Sequence, residues 1–271
     1  MAGQGLFYQA LPTRLVDHPM PIRRLLTLLI AFALFPISGA AASSRLVSLD
    51  VCMDWLLVYH LPAEQVAALS PVYADSPLPG VDKTPPLHDG SLESIVALAP
   101  EQVLVGQYNA SMLRERLRQL GFQVTVLPLP MTLGDVVEYE QRFLRAIGLP
   151  ETQARPASKP YPPTGKRLLL LEANGIGMGR HTFENELIEY AGWTNYLTDS
   201  GLVRLDLEQV AQNPPDAILW ASPEHPAVAN RFAEHPVLRK LVPAERWLST
   251  ESWRWTCPGP WTWDLIEQLA K

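Results

Sequence analysis

Ser91-Leu92-Glu93-Ser94-Ile95-Val96-Ala97-Leu98-Ala99-Pro100-Glu101-Gln102-Val103-Leu104-Val105 and Asp206-Leu207-Glu208-Gln209-Val210-Ala211-Gln212-Asn213-Pro214-Pro215-Asp216-Ala217-Ile218-Leu219-Trp220 align residue for residue, without a gap. Each copy opens on a helix-capping Ser or Asp, places an acid in the first helical turn, and presents an apolar face. A Pro then stops the helix, an acid follows, and a short buried strand closes the unit. Helix-to-strand units of this kind build parallel βαβ architecture. A duplicated unit predicts two similar lobes, with a ligand site at the C-terminal ends of their strands.

The surrounding chain repeats the plan. Upstream, Arg45 leads into the apolar strand Leu46 to Leu49, and a helical pattern runs from Cys52 to Leu61. Short strands are predicted at Val66–Leu69, Gln102–Val105 and Gln123–Leu127, with helices at Ser91–Ala99 and Ser111–Leu120. Ser70 to Asp89 is rich in Pro and lacks periodicity, which reads as a long loop of the kind that often carries function. Leu133, Val136, Val137, Phe143, Leu144 and Ile147 share one helical face, and Thr132 with Asp135 forms a capping-box pattern. Gly148-Leu149-Pro150 ends that helix, and the proline-rich stretch from Ala157 to Gly165 marks a boundary. Lys166-Arg167 then lead into Leu168 to Leu171 as Arg45 leads into Leu46. The expected organisation is a leader over 1–42, an N-terminal lobe over 43–130, a connecting helix and linker over 131–165, and a C-terminal lobe over 166–271. The fold class is α/β: two lobes with mainly parallel sheets flanked by helices, joined by a connecting helix, with a cleft between them.

Arg23-Arg24, the apolar run Leu25 to Phe35, and the small residues Ser38 to Ala42 together describe a secretory signal peptide. The run is too short for a membrane span, which needs about 20 apolar residues. Met20 is an alternative start, and cleavage is expected near Ala42, leaving a soluble periplasmic chain. Across all 271 residues, 22 Lys+Arg stand against 28 Asp+Glu, for a formal charge of −6. That balance argues against a nucleic-acid partner, whose phosphates need clustered cations. Two Cys exclude a four-thiolate zinc site and a disulfide-stapled mini-scaffold.

These features together resemble the substrate-binding proteins of ABC importers, and more narrowly the helical-backbone class that handles iron-siderophores, haem and cobalamin. The resemblance rests on Arg45 to Asp50, on Gly90 to Pro100, on Glu172-Ala173-Asn174-Gly175 with Phe183 to Gly192, and on Leu205 to Leu219. It covers nearly all of Arg45 to Lys271. It implies a monomer that performs no chemistry, needs no cofactor, and passes a metal chelate or corrinoid to a permease in the inner membrane. It also implies that one acid on each lobe docks on that permease, which points to Glu93 and Glu208. Without the resemblance these are ordinary first-turn acids favoured by the helix dipole. The connecting helix is shorter than in that class.

Ligand-contacting candidates follow from the strand ends. Asp50, Cys52, Tyr73, His88 and Tyr108 belong to the first half, and imidazole or phenolate can bind a ferric centre. Asn174, Arg180 and His181 flank a Gly-x-Gly-x-Gly stretch that reads as a close-approach loop; its spacing does not fit a dinucleotide site. Four of the eight Trp lie between Trp253 and Trp263. Trp253 and Trp255 alternate around Arg254 as on an extended segment, offering aromatic faces and a guanidinium to a ligand, whereas Trp263 is expected to pack under the last helix. Cys52 and Cys257 fall one in each half. They either form a disulfide, the default in an oxidising compartment, or serve as thiols for a ligand or soft metal. A carrier of free metal using Cys52, Cys257 and His88, and an exported oxidoreductase or hydrolase, are the competing functions. Neither a Gly-x-Ser-x-Gly elbow nor a His-Glu-x-x-His helix occurs.

Overall fold

The computed structural model describes residues 45–221 and 228–271. The leader expected over 1–42 lies outside the described residues. No helix among the described residues is long and apolar enough to cross a membrane.

Two separate sheets form, one from each half of the repeat. The first contains β1 (Leu46–Ser48), β2 (Val66–Ala68), β3 (Gln102–Gly106) and β4 (Val124–Leu127), all parallel, in the order β2-β1-β3-β4. The second contains β5 (Arg167–Leu171), β6 (Ile176–Met178), β7 (Thr194–Asn195), β8 (Leu202–Arg204), β9 (Ala217–Trp220) and β10 (Trp247–Ser249). Its order is β10-β9-β5-β6-β8; β7, β9 and β10 run parallel to their neighbours, while β6 is antiparallel to both β5 and β8. The helices are α1 (Val51–His60), α2 (Leu92–Ala97), α3 (Ser111–Gln119), α4 (Leu133–Ala146), α5 (Phe183–Tyr190), α6 (Leu207–Gln212), α7 (Pro236–Leu241), α8 (Trp253–Thr256) and α9 (Thr262–Leu269).

The duplication read from the sequence is reproduced in the hydrogen bonds. Ser91 caps α2 by accepting from the Ser94 amide, and Asp206 caps α6 by accepting from the Glu208 and Gln209 amides. The amide of Glu101 donates to the Arg45 carbonyl at 2.9 Å, and the equivalent amide of Asp216 donates to the Arg167 carbonyl at 3.0 Å. The side chains pair in the same way, Arg45 with Glu101 at 3.7 Å and Arg167 with Asp216 at 3.6 Å. Exposed pairs contribute little stability, so the significance is geometric: the same clasp closes the central strand pair of each sheet.

Helix α4 joins the sheets. Its capping box is present, with Thr132 accepting from the Asp135 amide and the Asp135 carboxylate accepting from the Thr132 amide. Leu133 and Val136 enter the apolar cluster of the second sheet, whereas Tyr139, Phe143 and Leu144 enter that of the first. The Leu133 amide donates to Glu186 at 2.7 Å, fastening the helix start to α5. Further along, buried Glu140 lies 3.0 Å from His60 at the end of α1 and accepts from the Arg155 amide at 3.1 Å. Gly148 then turns the chain at φ +74°, where a side chain is disfavoured.

Candidate functional site

The C-terminal ends of the parallel strands form two rims. On the first, Asp50 follows β1 and caps α1: Oδ1 accepts from the Cys52 and Met53 amides, and Oδ2 accepts from the Gly106 amide at 2.6 Å. This cap fastens the 106–109 turn at the end of β3. Arg114 secures the same turn from the other side, donating to the Gln107 carbonyl at 2.8 Å. Tyr108 projects from this held turn and is 74 % exposed. Met112, on the first turn of α3, and Met131, between β4 and α4, are also exposed. Large apolar side chains in water at strand ends are the feature a ligand wall needs. A cavity of about 170 Å³ lies between the segment after β4 and α4, lined by Pro128 to Pro130, Asp135, Glu138, Tyr139 and Arg142.

Sequence reasoning missed both methionines. The available signal was Met112 within α3, where Leu113 and Leu117 supply the core-facing side and Met112 falls off it.

The second rim begins after β5. Asn174 is exposed and holds a left-handed backbone at φ +59°. Arg180 and His181 are exposed; the Arg180 amide donates to the Asp199 carbonyl at 2.7 Å and its carbonyl accepts from the Gly201 amide at 2.8 Å, while the His181 ring Nδ1 lies 3.0 Å from Ser200 Oγ. Val228, beyond β9, is 80 % exposed.

Several expected contacts are corrected. Tyr73 is 1 % exposed, and its hydroxyl accepts from the Leu78 amide, so it is a core residue and not a ligand contact. His88 is buried, with Nε2 bonded to the Ser48 carbonyl at 2.8 Å and Nδ1 accepting from the Gly90 amide at 2.9 Å. Both ring nitrogens are used in pinning the 70–89 loop to β1, leaving none for a metal. Asp50 is 5 % exposed, and its oxygens are used by the cap.

Cys52 and Cys257 form a disulfide with Cα atoms 5.3 Å apart, which removes the thiol and free-metal alternatives for this pair. Among the described residues, no group of three or more His, Cys, Asp and Glu side chains could hold a metal ion. Trp253, Arg254 and Trp255 lie on the short helix α8, not on an extended segment. Trp253 stacks edge-on against Trp55 at 5.4 Å, and Trp255 is buried in the second core with its indole N–H donating to Thr250. Arg254 is directed at Gln268 and Glu251. Trp263 is buried, as the sequence implied.

The Gly-x-Gly-x-Gly stretch is likewise not a ligand loop. It forms β6, where a Cβ on Gly177 would come within 2.3 Å of Leu197 Cδ1 and one on Gly179 within 2.0 Å of the Asp199 carbonyl oxygen. These glycines admit close backbone packing.

Buried carboxyls sit near both rims. Desolvation raises Asp54 to about 7, against the opposing hydrogen bonds from Ser48 and Ser70. Burial likewise raises Asp50, Glu172 and Glu184, and the Glu184 charge adds to the shift at Glu172. A carboxyl raised on folding keeps its proton in the native state after the unfolded chain has released it. Stability is therefore fully present below the unfolded value and is lost as pH rises through the folded one. Asp89, lowered to about 2 mainly by hydrogen bonds from Ser91, acts in the opposite sense, but only between about 2 and 3.8. The melting temperature is accordingly higher at pH 5 than at pH 8, with Asp54 alone contributing about 2 kcal/mol. Asp54→Asn shrinks that difference. A calorimetric melt that is flat across this range, or rises with pH, contradicts the assignment.

No family model matches the sequence, and no curated protein matches it. Solved structures do. A periplasmic haem-binding protein of Vibrio cholerae aligns with a TM-score of 0.64 at 17% identity, covering 84% of this chain and 98% of that one. A protein of Staphylococcus epidermidis ATCC 12228, described as a possible iron-binding (periplasmic solute-binding) protein, gives 0.62 at 15% identity, covering 84% and 96%. The periplasmic vitamin B12-binding protein of Vibrio cholerae gives 0.57 at 18% identity, covering 84% and 95%. At these identities the likeness establishes the shared fold: two α/β lobes joined by a helix.

Proposed function

We propose that this chain is the exported solute-binding protein of an ABC importer, capturing a metal chelate or a corrinoid between its lobes and delivering it to an inner-membrane permease. The observation that carries the reading is the pair of rims. The held 106–109 turn presents Tyr108, α3 and the β4–α4 segment present Met112 and Met131, and in the second half Arg180 and His181 after β6 and Val228 after β9 are exposed. Exposed apolar side chains on one lobe and an exposed guanidinium on the other suit a flat or macrocyclic ligand with anionic or polar edges. Fold-sharing proteins described as binding haem, iron or vitamin B12 support the same class. Glu93 and Glu208, exposed in the first turns of α2 and α6, are the proposed docking acids. The leader directs the chain to the periplasm, and it acts there as a monomer without a catalytic step.

Haem, cobalamin and a ferric catecholate siderophore are the test panel. All absorb where tryptophan emits, so a bound ligand quenches even the buried indoles by energy transfer. Saturable quenching by one member at a stoichiometry of about one is expected, and Tyr108→Ala weakens it by roughly tenfold, the loss of one aromatic contact. No saturable quenching across the panel refutes the ligand class.

A further inference from the structure

The connecting helix α4 is only 14 residues and is followed by a proline-rich return rather than by further helix. A single short helix leaves rotation about its own axis weakly restrained. We infer that the Cys52–Cys257 disulfide and the aromatic side chains packed around it form a second strut that fixes the angle between the two lobes, independently of any bound ligand.

The bond links the first turn of α1, directly after β1, to the segment after α8, beyond β10. Trp55 and Tyr59 project from α1; Trp253 and Trp261, which flank Cys257 in the C-terminal part of the chain, pack with Trp55 in the first-lobe apolar cluster. Trp55 meets Trp253 at 5.4 Å and Trp261 at 5.8 Å, Trp253 meets Trp261 at 5.8 Å, and Tyr59 meets Trp261 at 6.1 Å. Edge-to-face rings at such spacings attract one another and resist sliding. The Trp261 indole N–H donates to the Cys257 carbonyl at 2.6 Å, and Trp55 donates to the Ser76 carbonyl at 2.8 Å, fixing both sides. Cys257 is fully buried and lies within the first-lobe apolar cluster, although Trp255, two residues before it, lies within the second. The strut is therefore rooted in both cores. Two attachments off a common axis leave no free rotation. Through the Asp50 cap, the same first turn of α1 also holds the 106–109 turn that carries Tyr108.

Spin labels at Arg118→Cys on α3 and Lys240→Cys on α7, both exposed positions, report the distance between lobes in the ligand-free protein. With the disulfide and tryptophans intact, the distance distribution is narrow. Cys52→Ala with Cys257→Ala broadens it at least about twofold, and Trp253→Leu, with the bond retained, broadens it less. A distribution as narrow as the parent's in the double variant overturns the strut. If that variant does not fold, an unchanged distribution in Trp253→Leu overturns it and a broadened one supports it. Because no ligand is present, the result stands apart from the solute-binding reading.

Discussion

Replacing Cys52 and Cys257 together by Ala lowers the stability of this protein by about 2–5 kcal/mol, the range for removing a native disulfide. The bond spans a sequence separation of 205 residues, so in the chain-entropy view it restricts the unfolded ensemble strongly. The folded state also loses packing, since Cys257 lies among Trp55, Leu57 and Trp261 in the first apolar cluster. Melts of the oxidised parent and the double variant measure the loss, and the parent under a thiol reductant approaches the variant. Equal midpoints would mean that the bond neither closes a loop in the unfolded chain nor holds the native one.

Reversing both proposed docking charges, Glu93→Lys with Glu208→Lys, is expected to leave ligand affinity within about twofold and to reduce permease-dependent uptake by at least about a hundredfold. Truncating one partner of a charge pair that is buried and hydrogen-bonded in an interface costs about 2–5 kcal/mol, and reversal adds repulsion. Neither acid contributes to a core: both are exposed in the first turns of short helices, where loss of the favourable dipole contact costs only about 0.3–1 kcal/mol. The two single reversals are each expected to give a partial loss, since the proposed docking uses one acid on each lobe. Uptake equal to that of the parent in the double reversal would leave these carboxylates as first-turn acids favoured by the helix dipole alone.

Much of the architecture is legible in the sequence because it follows local rules. The Ser91 and Asp206 caps, the Pro100 and Pro214 stops, the Thr132–Asp135 capping box and the Arg45 and Arg167 strand leads each act over a few residues. Their order along the chain then specifies two sheets of mainly parallel strands, with β6 antiparallel in the second. The site is less legible because its residues are defined by what lies across from them. Nothing local separates the spare histidine of a ligand loop from His88, whose two nitrogens are both taken by backbone groups 40 and 2 residues away. Likewise the phenol of Tyr73 is turned inward and that of Tyr108 outward by the tertiary fold. The Trp253–Trp255 alternation has the period of a strand, but it falls on one short helix at the joint between the lobes. Tertiary packing there overrides a pattern too brief to specify its own conformation. Cys52 and Cys257 could be placed one in each half, but whether they bond depends on a Cα separation set by α1 and the segment after α8.

Native mass spectrometry of the protein taken from its own periplasm, without denaturation, tests the central claim most directly. One equivalent of a metal chelate or tetrapyrrole retained on the chain, and released when the protein is unfolded, is the expected spectrum. A spectrum showing only the bare chain, from cells supplied with iron, haem and cobalamin, would contradict it.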